Sequence, residues 1–436
     1  MEQTTIKSVS EIFTSALKAV SPYEAVKKHS KNILSFFETG KFNRLIVIGF
    51  GKAACPMTRA VEDNLMALID NGVVLTKYGH CDSLCNLSKM TVYEAGHPIP
   101  DENGVRGTDE IIQLLKNADE RTLVACLISG GGSALLVSPF DGISLNEKRD
   151  VTQLLLQKGA DIFELNTVRK HISKVKGGRL AEIAYPAKVF SLILSDVIGD
   201  RLDVIASGPT SPEITTYNDA LKVLEKYGLM DRCPHGILDV LCSGTNGLIP
   251  ETPKEGNKIF ERVENIIIGS NRTALAAAKK KAEELGFDAE IVSAEITGEA
   301  KEIGKWLAQK AIETKNTKKS NRSVCLISGG ETTVTVTGSG LGGRNMELAL
   351  SVAIEIDSID GTTLLSAGTD GTDGPTDAAG AIVDGQTIAK AEAININPDD
   401  YLRNNDSYNF FKKIDNLFIT GPTGTNVMDI QIVIIE

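Results

Sequence analysis

Residues 44–54 read Arg44-Leu45-Ile46-Val47-Ile48-Gly49-Phe50-Gly51-Lys52-Ala53-Ala54. An unbroken apolar, β-branched run, then two glycines around one residue, then alanines opening a helical period, spell strand, tight turn and helix. The same grammar returns at 72–76, 123–128, 189–194, 265–268, 324–327 and 363–366, each run flanked by turn residues. Hydrophobicity in these runs is near-continuous rather than alternating, so helices must cover both faces of the sheet they form. The expected fold class is α/β, with two doubly wound α/β/α domains on largely parallel sheets.

Upstream of this unit two helices are predicted. The second opens at Ser21-Pro22-Tyr23-Glu24, with Ser21 as cap, Pro22 at the first helical position and Glu24 closing a capping box. Between residues 233 and 262 the periodicity lapses into Gly, Pro, Asn and charged residues. The domain boundary is expected there, giving an N-terminal domain 1–240 and a C-terminal domain 241–436. The hexapeptide Cys126-Leu127-Ile128-Ser129-Gly130-Gly131 recurs at 325–330, so both domains end a strand in the same way.

The 436 residues are 42% hydrophobic and 24% charged, which is the balance of a globular protein of two domains or so. Lys and Arg number 46 against 57 Asp and Glu, a net charge of −11, and a body of that sign repels nucleic acid and anionic membrane surfaces. Seven cysteines at irregular spacing, two of them inside apolar runs, point to a reducing compartment. With no basic start or apolar leader at the N-terminus, a cytoplasmic location is expected. His80, Cys81, Cys85 and His97 fit no zinc spacing.

Ligands of open α/β sheets lie beyond the carboxyl ends of the strands, so the glycine turns are the places to look. Gly49-Phe50-Gly51-Lys52-Ala53-Ala54 matches a dinucleotide-type turn, which keeps an NAD(P)H enzyme in view. The acidic residue that would bind a ribose is missing, because the next strand ends in Lys77-Tyr78-Gly79. What the turn does offer is the Lys52 ammonium beside the Gly51 backbone at a helix start, which suits phosphate or carboxylate. Ser129-Gly130-Gly131-Gly132-Ser133 is a second anion nest, with three glycines free to aim N–H groups at one anion and two hydroxyls as further donors.

The stretch 166–179 concentrates Arg169, Lys170, His171, Lys174, Lys176 and Arg179 in an acidic chain. It reads either as a cationic island facing an anionic ligand, with Arg169 and Lys174 as substrate contacts, or as a solvated helix face. Asp196, Asp370 and Asp373, in two further turns, are hard oxygen donors suited to Mg²⁺, or else turn-forming aspartates. Gly338-Ser339-Gly340-Leu341-Gly342-Gly343-Arg344 places a guanidinium at the mouth of a glycine loop in the second half of the chain. Lys52 and Arg344 together outline a cleft between domains, and cations, anion nests and metal-type carboxylates are the parts of phosphoryl transfer.

Taken in order, GFGKAA, GHPIPDENG, SGGGSALL, LNTVRKHISKVKGGRLA, LSDVIGDRLDVIASGPT, SGGETTVTVTGSGLGGRN, AGTDGTDGPTDAAGA and GPTGTNVMD resemble the glycerate 2-kinase family, whose C-terminal half is called the MOFRL domain. The resemblance runs from about residue 10 to the end. It implies two α/β domains with an interdomain active-site cleft, and ATP-dependent phosphorylation of D-glycerate to 2-phosphoglycerate with Mg²⁺. Lys52 and Arg344 match the family's substrate- and phosphate-facing cations, and Asp196 is the carboxylate expected to orient the metal or accept the proton. Phe50 and Met346 depart from the usual residues, which bears on substrate preference. The family has also carried the label hydroxypyruvate reductase, so an NAD(P)H-dependent reductase and a non-catalytic sugar-acid or nucleotide binding protein stand as alternatives. The expected partners are small molecules alone, D-glycerate and ATP, with a homodimer left open.

Overall fold

A computed structural model describes residues 3–81, 87–318 and 322–436; Cys85 lies outside them. The chain forms two compact units, one of Pro22–Ile268 and one that joins the helix Gln3–Ala19 to Gly269–Glu436.

The Pro22–Ile268 unit is built on a six-stranded sheet of β1 (Arg44–Phe50), β2 (Ile69–Lys77), β3 (Met90–Ala95), β4 (Thr122–Ile128), β5 (Lys188–Leu194) and β6 (Val263–Gly269), in the order β3-β2-β1-β4-β5-β6. β1 pairs parallel to both β2 and β4, and β3 and β5 extend the same parallel ladder on either side. This is the Rossmann order, in which the chain winds outward from β1 one way and then the other, leaving a switch point between β1 and β4. Alternate residues of β1 explain the covering on both faces. Ile46, Ile48 and Phe50 join a core with Ile111, Ile112 and Leu115 of the helix Glu102–Lys116, while Leu45 and Val47, pointing the other way, are equally buried.

The second sheet holds β7 (Asp288–Ile296), β8 (Val324–Gly330), β9 (Thr362–Gly368), β10 (Gly380–Asp384), β11 (Leu417–Phe418) and β12 (Asp429–Ile435), in the order β11-β10-β9-β12-β8-β7. Only β7 and β8 pair in parallel; β12 lies antiparallel between β8 and β9, and β10 is antiparallel to β9 and β11. The expectation of a largely parallel sheet therefore fails here, and this sheet is mixed. Its central strand β12 is the chain's last one, DIQIVII, buried along its whole length. An apolar run with both faces covered has the same composition in either direction, so its polarity could not be read from the residues.

The expected boundary at residue 240 also moves. The stretch 233–262 contains the helix His235–Thr245, whose Ile237, Val240 and Leu241 pack with Val168, Ile172, Tyr217 and Leu224 of the first unit. β6, expected to open the second domain, instead closes the first sheet beside β5. At the other end, Val9, Ile12, Phe13, Ala16 and Val20 form one helical stripe with no exposed surface. That stripe packs into the second unit, where Phe13 meets Phe418 edge-on at 5.4 Å and the Thr425 hydroxyl donates to the Val20 carbonyl at 2.9 Å. Among the described residues, no helix is long and apolar enough to cross a membrane.

Candidate functional site

In the first unit the register of β1 on β4 pairs Phe50 with Ile128, so the two glycine turns leave the sheet side by side at the switch point. They are tied together. The Ser129 N–H donates to the Phe50 carbonyl at 3.1 Å, and the Lys52 N–H donates to the Gly130 carbonyl at 2.8 Å. Ser129 Oγ accepts from the Ala53 N–H at 3.1 Å. Gly51 has φ of 125°, and a β-carbon there would collide with Ser129, so the close approach of the turns requires glycine.

Around this junction stand the predicted residues. A β-carbon on Gly131 would lie 3.0 Å from the His97 ring and 3.2 Å from Lys52 Cγ, which sets the lysine stem and the imidazole against the same turn. Burial first, then the Lys52 and Lys77 charges, push His97 down to about 4, so its ring is neutral at pH 7. His80 Nδ1 lies 3.2 Å from the Lys52 carbonyl. Asp196, on the loop after β5, lies directly over Gly130. Gly132 and Ser133 begin a short helix whose Ser133 hydroxyl is 2.9 Å from that of Ser207, which in turn donates to Asn166 at 3.0 Å. Ala206 and Ser207 both sit at positive φ, 52° and 63°, a strained backbone held against Gly132. Gly51, Ser129, Gly130, Gly131, Gly132, Ser133, Lys52 and Asp196 are thus brought together.

The basic stretch divides when its partners are traced. Lys170 is 2.5 Å from the buried Glu213, His171 is 3.2 Å from Glu251, and Arg179 donates to the Tyr217 hydroxyl and the Pro250 carbonyl. Lys174, expected at the substrate, instead reaches outward to the exposed Asp141 at 2.6 Å. Arg169 stays half-buried, its charge opposed by desolvation to a value of about 10.

In the second unit the Gly338–Gly343 loop is not an open nest. Asn405 Oδ1 accepts from the Thr337 and Gly338 N–H groups at 2.8 and 3.0 Å, Asn404 Oδ1 from Ser339, and Asp406 Oδ1 from Leu341. Arg344 opens the helix Arg344–Glu355 and is gripped by two carboxylates: Asp429 accepts from Nε and Nη2 at 2.6 and 3.0 Å, and Glu331 accepts from Nη1 at 2.6 Å. Burial opposes its charge, but Asp429 and Glu331 outweigh burial and hold the guanidinium above its ordinary value. An open cleft of 710 Å³ runs past Arg344, Val336 and Asp370, within the size range of small-molecule sites.

Two of the aspartates expected at a metal are otherwise engaged. Asp373 is buried, and its two oxygens accept the Asn345 and Met346 N–H groups at 3.0 and 2.8 Å, capping that helix. Burial pushes it up to about 7 against the pull of those N–H groups. Asp370 folds its oxygen back onto Thr372 N–H and hydroxyl, both at 3.1 Å, as a turn-former. Among the described residues no three His, Cys, Asp or Glu side chains converge as a metal cage. Phe50 and Met346 are both fully buried, so any effect on preference must travel through packing. Sequence reasoning named Lys176 only as part of the cationic stretch and missed His97 and Asp429 as parts of these sites, although both lie inside quoted motifs; Lys148, on the helix Leu145–Gln157, carries no local signal.

The Rossmann-order sheet, with a lysine beside a glycine nest at its switch point, defines an α/β protein whose first unit carries an anion-type turn at that place. Residues 8–242 match a domain of unknown function (DUF4147) and residues 324–429 match the MOFRL family. The chain is 47% identical to D-glycerate 2-kinase of Thermotoga maritima, over 97% of this chain and 96% of that one. It is 43% identical to glycerate 2-kinase of Pyrococcus horikoshii, over 96% and 95%. The crystal structure of the Thermotoga maritima glycerate kinase superposes with a TM-score of 0.90, at 46% identity and full coverage of both chains. The chain belongs to the glycerate kinase family.

Proposed function

We propose that this protein transfers the terminal phosphoryl group of ATP to the 2-hydroxyl of D-glycerate. The observation that carries the proposal is the pairing of Lys52 with the Gly130–Gly132 turn at the β1/β4 switch point, in a chain that belongs to this family. Phosphoryl transfer asks a protein for positioning and for neutralisation of charge on the moving oxygens. Lys52 supplies a cation beside backbone N–H groups, and the strained Ala206-Ser207 segment holds the Ser133 and Ser207 hydroxyls in place. The neutral imidazole of His97 adds no competing charge and can orient the substrate by a hydrogen bond. Arg344 serves its phosphate role by exchanging Glu331 for ligand oxygens while the buried Asp429 keeps the guanidinium plane fixed.

Mg²⁺ is usually held by one or two carboxylates plus phosphate oxygens. Asp196, half-buried over the Gly130 turn, fits that need, and the capping role of Asp373 does not. Bound there with the nucleotide, the ion would supply charge neutralisation of the phosphate oxygens. The NAD(P)H alternative is disfavoured because β2 ends in a cation, Lys77, where the ribose-binding carboxylate would stand.

The test is phosphorus NMR of the protein with D-glycerate, ATP and Mg²⁺. A 2-phosphoglycerate resonance with equivalent ADP is expected. A 3-phosphoglycerate signal would overturn the regiochemistry, and absence of product together with NADH-dependent reduction of hydroxypyruvate would overturn the reaction class.

A further inference from the structure

Two cations of the basic stretch, Arg169 and Lys176, lack the carboxylate partners that their neighbours have, and the structure adds a third from a separate helix. Lys148, on the helix Leu145–Gln157, is 4% exposed, and Lys176 has no exposed surface. Among the described residues, no hydrogen bond or ion pair engages the Lys148 ammonium or the Arg169 guanidinium, and Lys176 Nζ has only the Ala206 carbonyl at 3.5 Å. Their charges act on one another: Arg169 adds to the desolvation that pulls Lys148 down to about 7, and both add to the desolvation that lowers Lys176. Burying cations without an anion is strongly unfavourable, so three converging on one place mark a pocket whose anion arrives from solution.

The pocket's position ties it to the anion turn. Lys176 rests on Ala206, and the Gly177 N–H donates to the Ser207 carbonyl at 3.0 Å. Ser207 is hydrogen-bonded to Ser133 of the glycine nest on one side and to Asn166, one turn before Arg169, on the other. Lys176, at the Ala206 carbonyl, and Arg169, one turn after the Asn166 that holds Ser207, are thus tied to the Ala206-Ser207 segment, and the Lys148 charge acts on Lys176 beside that of Arg169. So buried a place admits the small end of a substrate rather than a nucleotide, and a carboxylate has lone pairs enough for three donors.

We infer that Lys148, Lys176 and Arg169 form the carboxylate pocket for the hydroxy-acid substrate, with Lys148 and Lys176 as its buried wall. The inference rests on the proposed kinase activity for its choice of ligand. Selectivity follows: an acid is bound and a neutral polyol of the same size is rejected, because only the acid relieves the unpaired cations.

Lys148→Met and Lys176→Met remove the charge while keeping the volume of the stem, and the loss of an unpaired buried ammonium should leave the fold standing. In steady-state assays each variant should raise KM for D-glycerate by tenfold or more while KM for ATP stays within twofold, and Lys148→Arg should recover most of the loss. An unchanged KM for D-glycerate in both Met variants would overturn the pocket. A rise in KM for ATP instead would assign the cations to nucleotide phosphate and overturn the carboxylate role. Should the wild-type protein show no turnover, the kinase reading fails by itself, and calorimetric titration of D-glycerate then decides the pocket. Binding at least tenfold weaker in Lys148→Met supports it, and equal binding overturns it.

Discussion

The Asp196 carboxylate occupies the space that a side chain on Gly130 would need. Neither residue can be understood without the other: the glycine makes room, and the loop after β5 brings the carboxylate over the turn after β4. Gly130→Ala is expected to push Asp196 aside and lower kcat on the order of 10²-fold, since a displacement of about 1 Å is enough for that. A coupled assay of ADP release, beside a circular dichroism spectrum that stays native, checks it.

Lys52→Ala should reduce kcat by roughly 10²–10³-fold, the usual effect of removing one donor to developing charge. The side chain is only half-buried at the turn, so the thermal midpoint should move little. A variant with near-normal kcat would remove Lys52 from the chemistry.

Asp429 and Glu331 hold the same guanidinium but differ in burial, at 2% and 45% side-chain exposure. Asp429→Ala leaves Arg344 without its buried partner and should cost about 3 kcal/mol in urea denaturation. Glu331→Gln, at the exposed edge, should cost under about 1 kcal/mol. Equal losses would show that burial does not set the strength of this pair.

His97 titrates in the folded chain near 4 against an ordinary value of 6.5. The unfolded chain therefore binds the extra proton first, and stability falls as pH drops from 6.5 towards 4. At this half-buried position the loss should be at most about 2 kcal/mol once solvent screening is allowed for. His97→Gln should lose less stability than wild type over that window, measured by denaturant midpoints at pH 7 and pH 4.5.

Phe13 is fully buried against Phe418. Phe13→Ala should destabilise by about 3–5 kcal/mol, and limited proteolysis should then cut first within the Gly269–Glu436 portion. Cleavage confined to Pro22–Ile268 would show that the first helix does not stabilise the unit it packs into.

Much of this molecule can be read from its residues alone. Runs such as Leu45–Ile48 bounded by glycine determine strands and turns, because continuous apolar character and the conformational freedom of glycine are local properties. The two turns carrying Lys52 and Ser129–Ser133 were legible for the same reason, as was the pairing of Pro22 with a helix start. Tertiary structure alone decided the rest. The antiparallel setting of β12, the capture of β6 by the first sheet and the docking of the first helix onto the second unit depend on partners far away in the chain, some four hundred residues away for the first helix. So do the fates of the charges. Lys170 and Lys174 found carboxylates, Asp373 found a helix end, and Lys148 met Arg169 and Lys176 with no anion between them. A side chain's charge is written in the sequence, but its counter-ion and its distance from water are set only when the chain closes on itself.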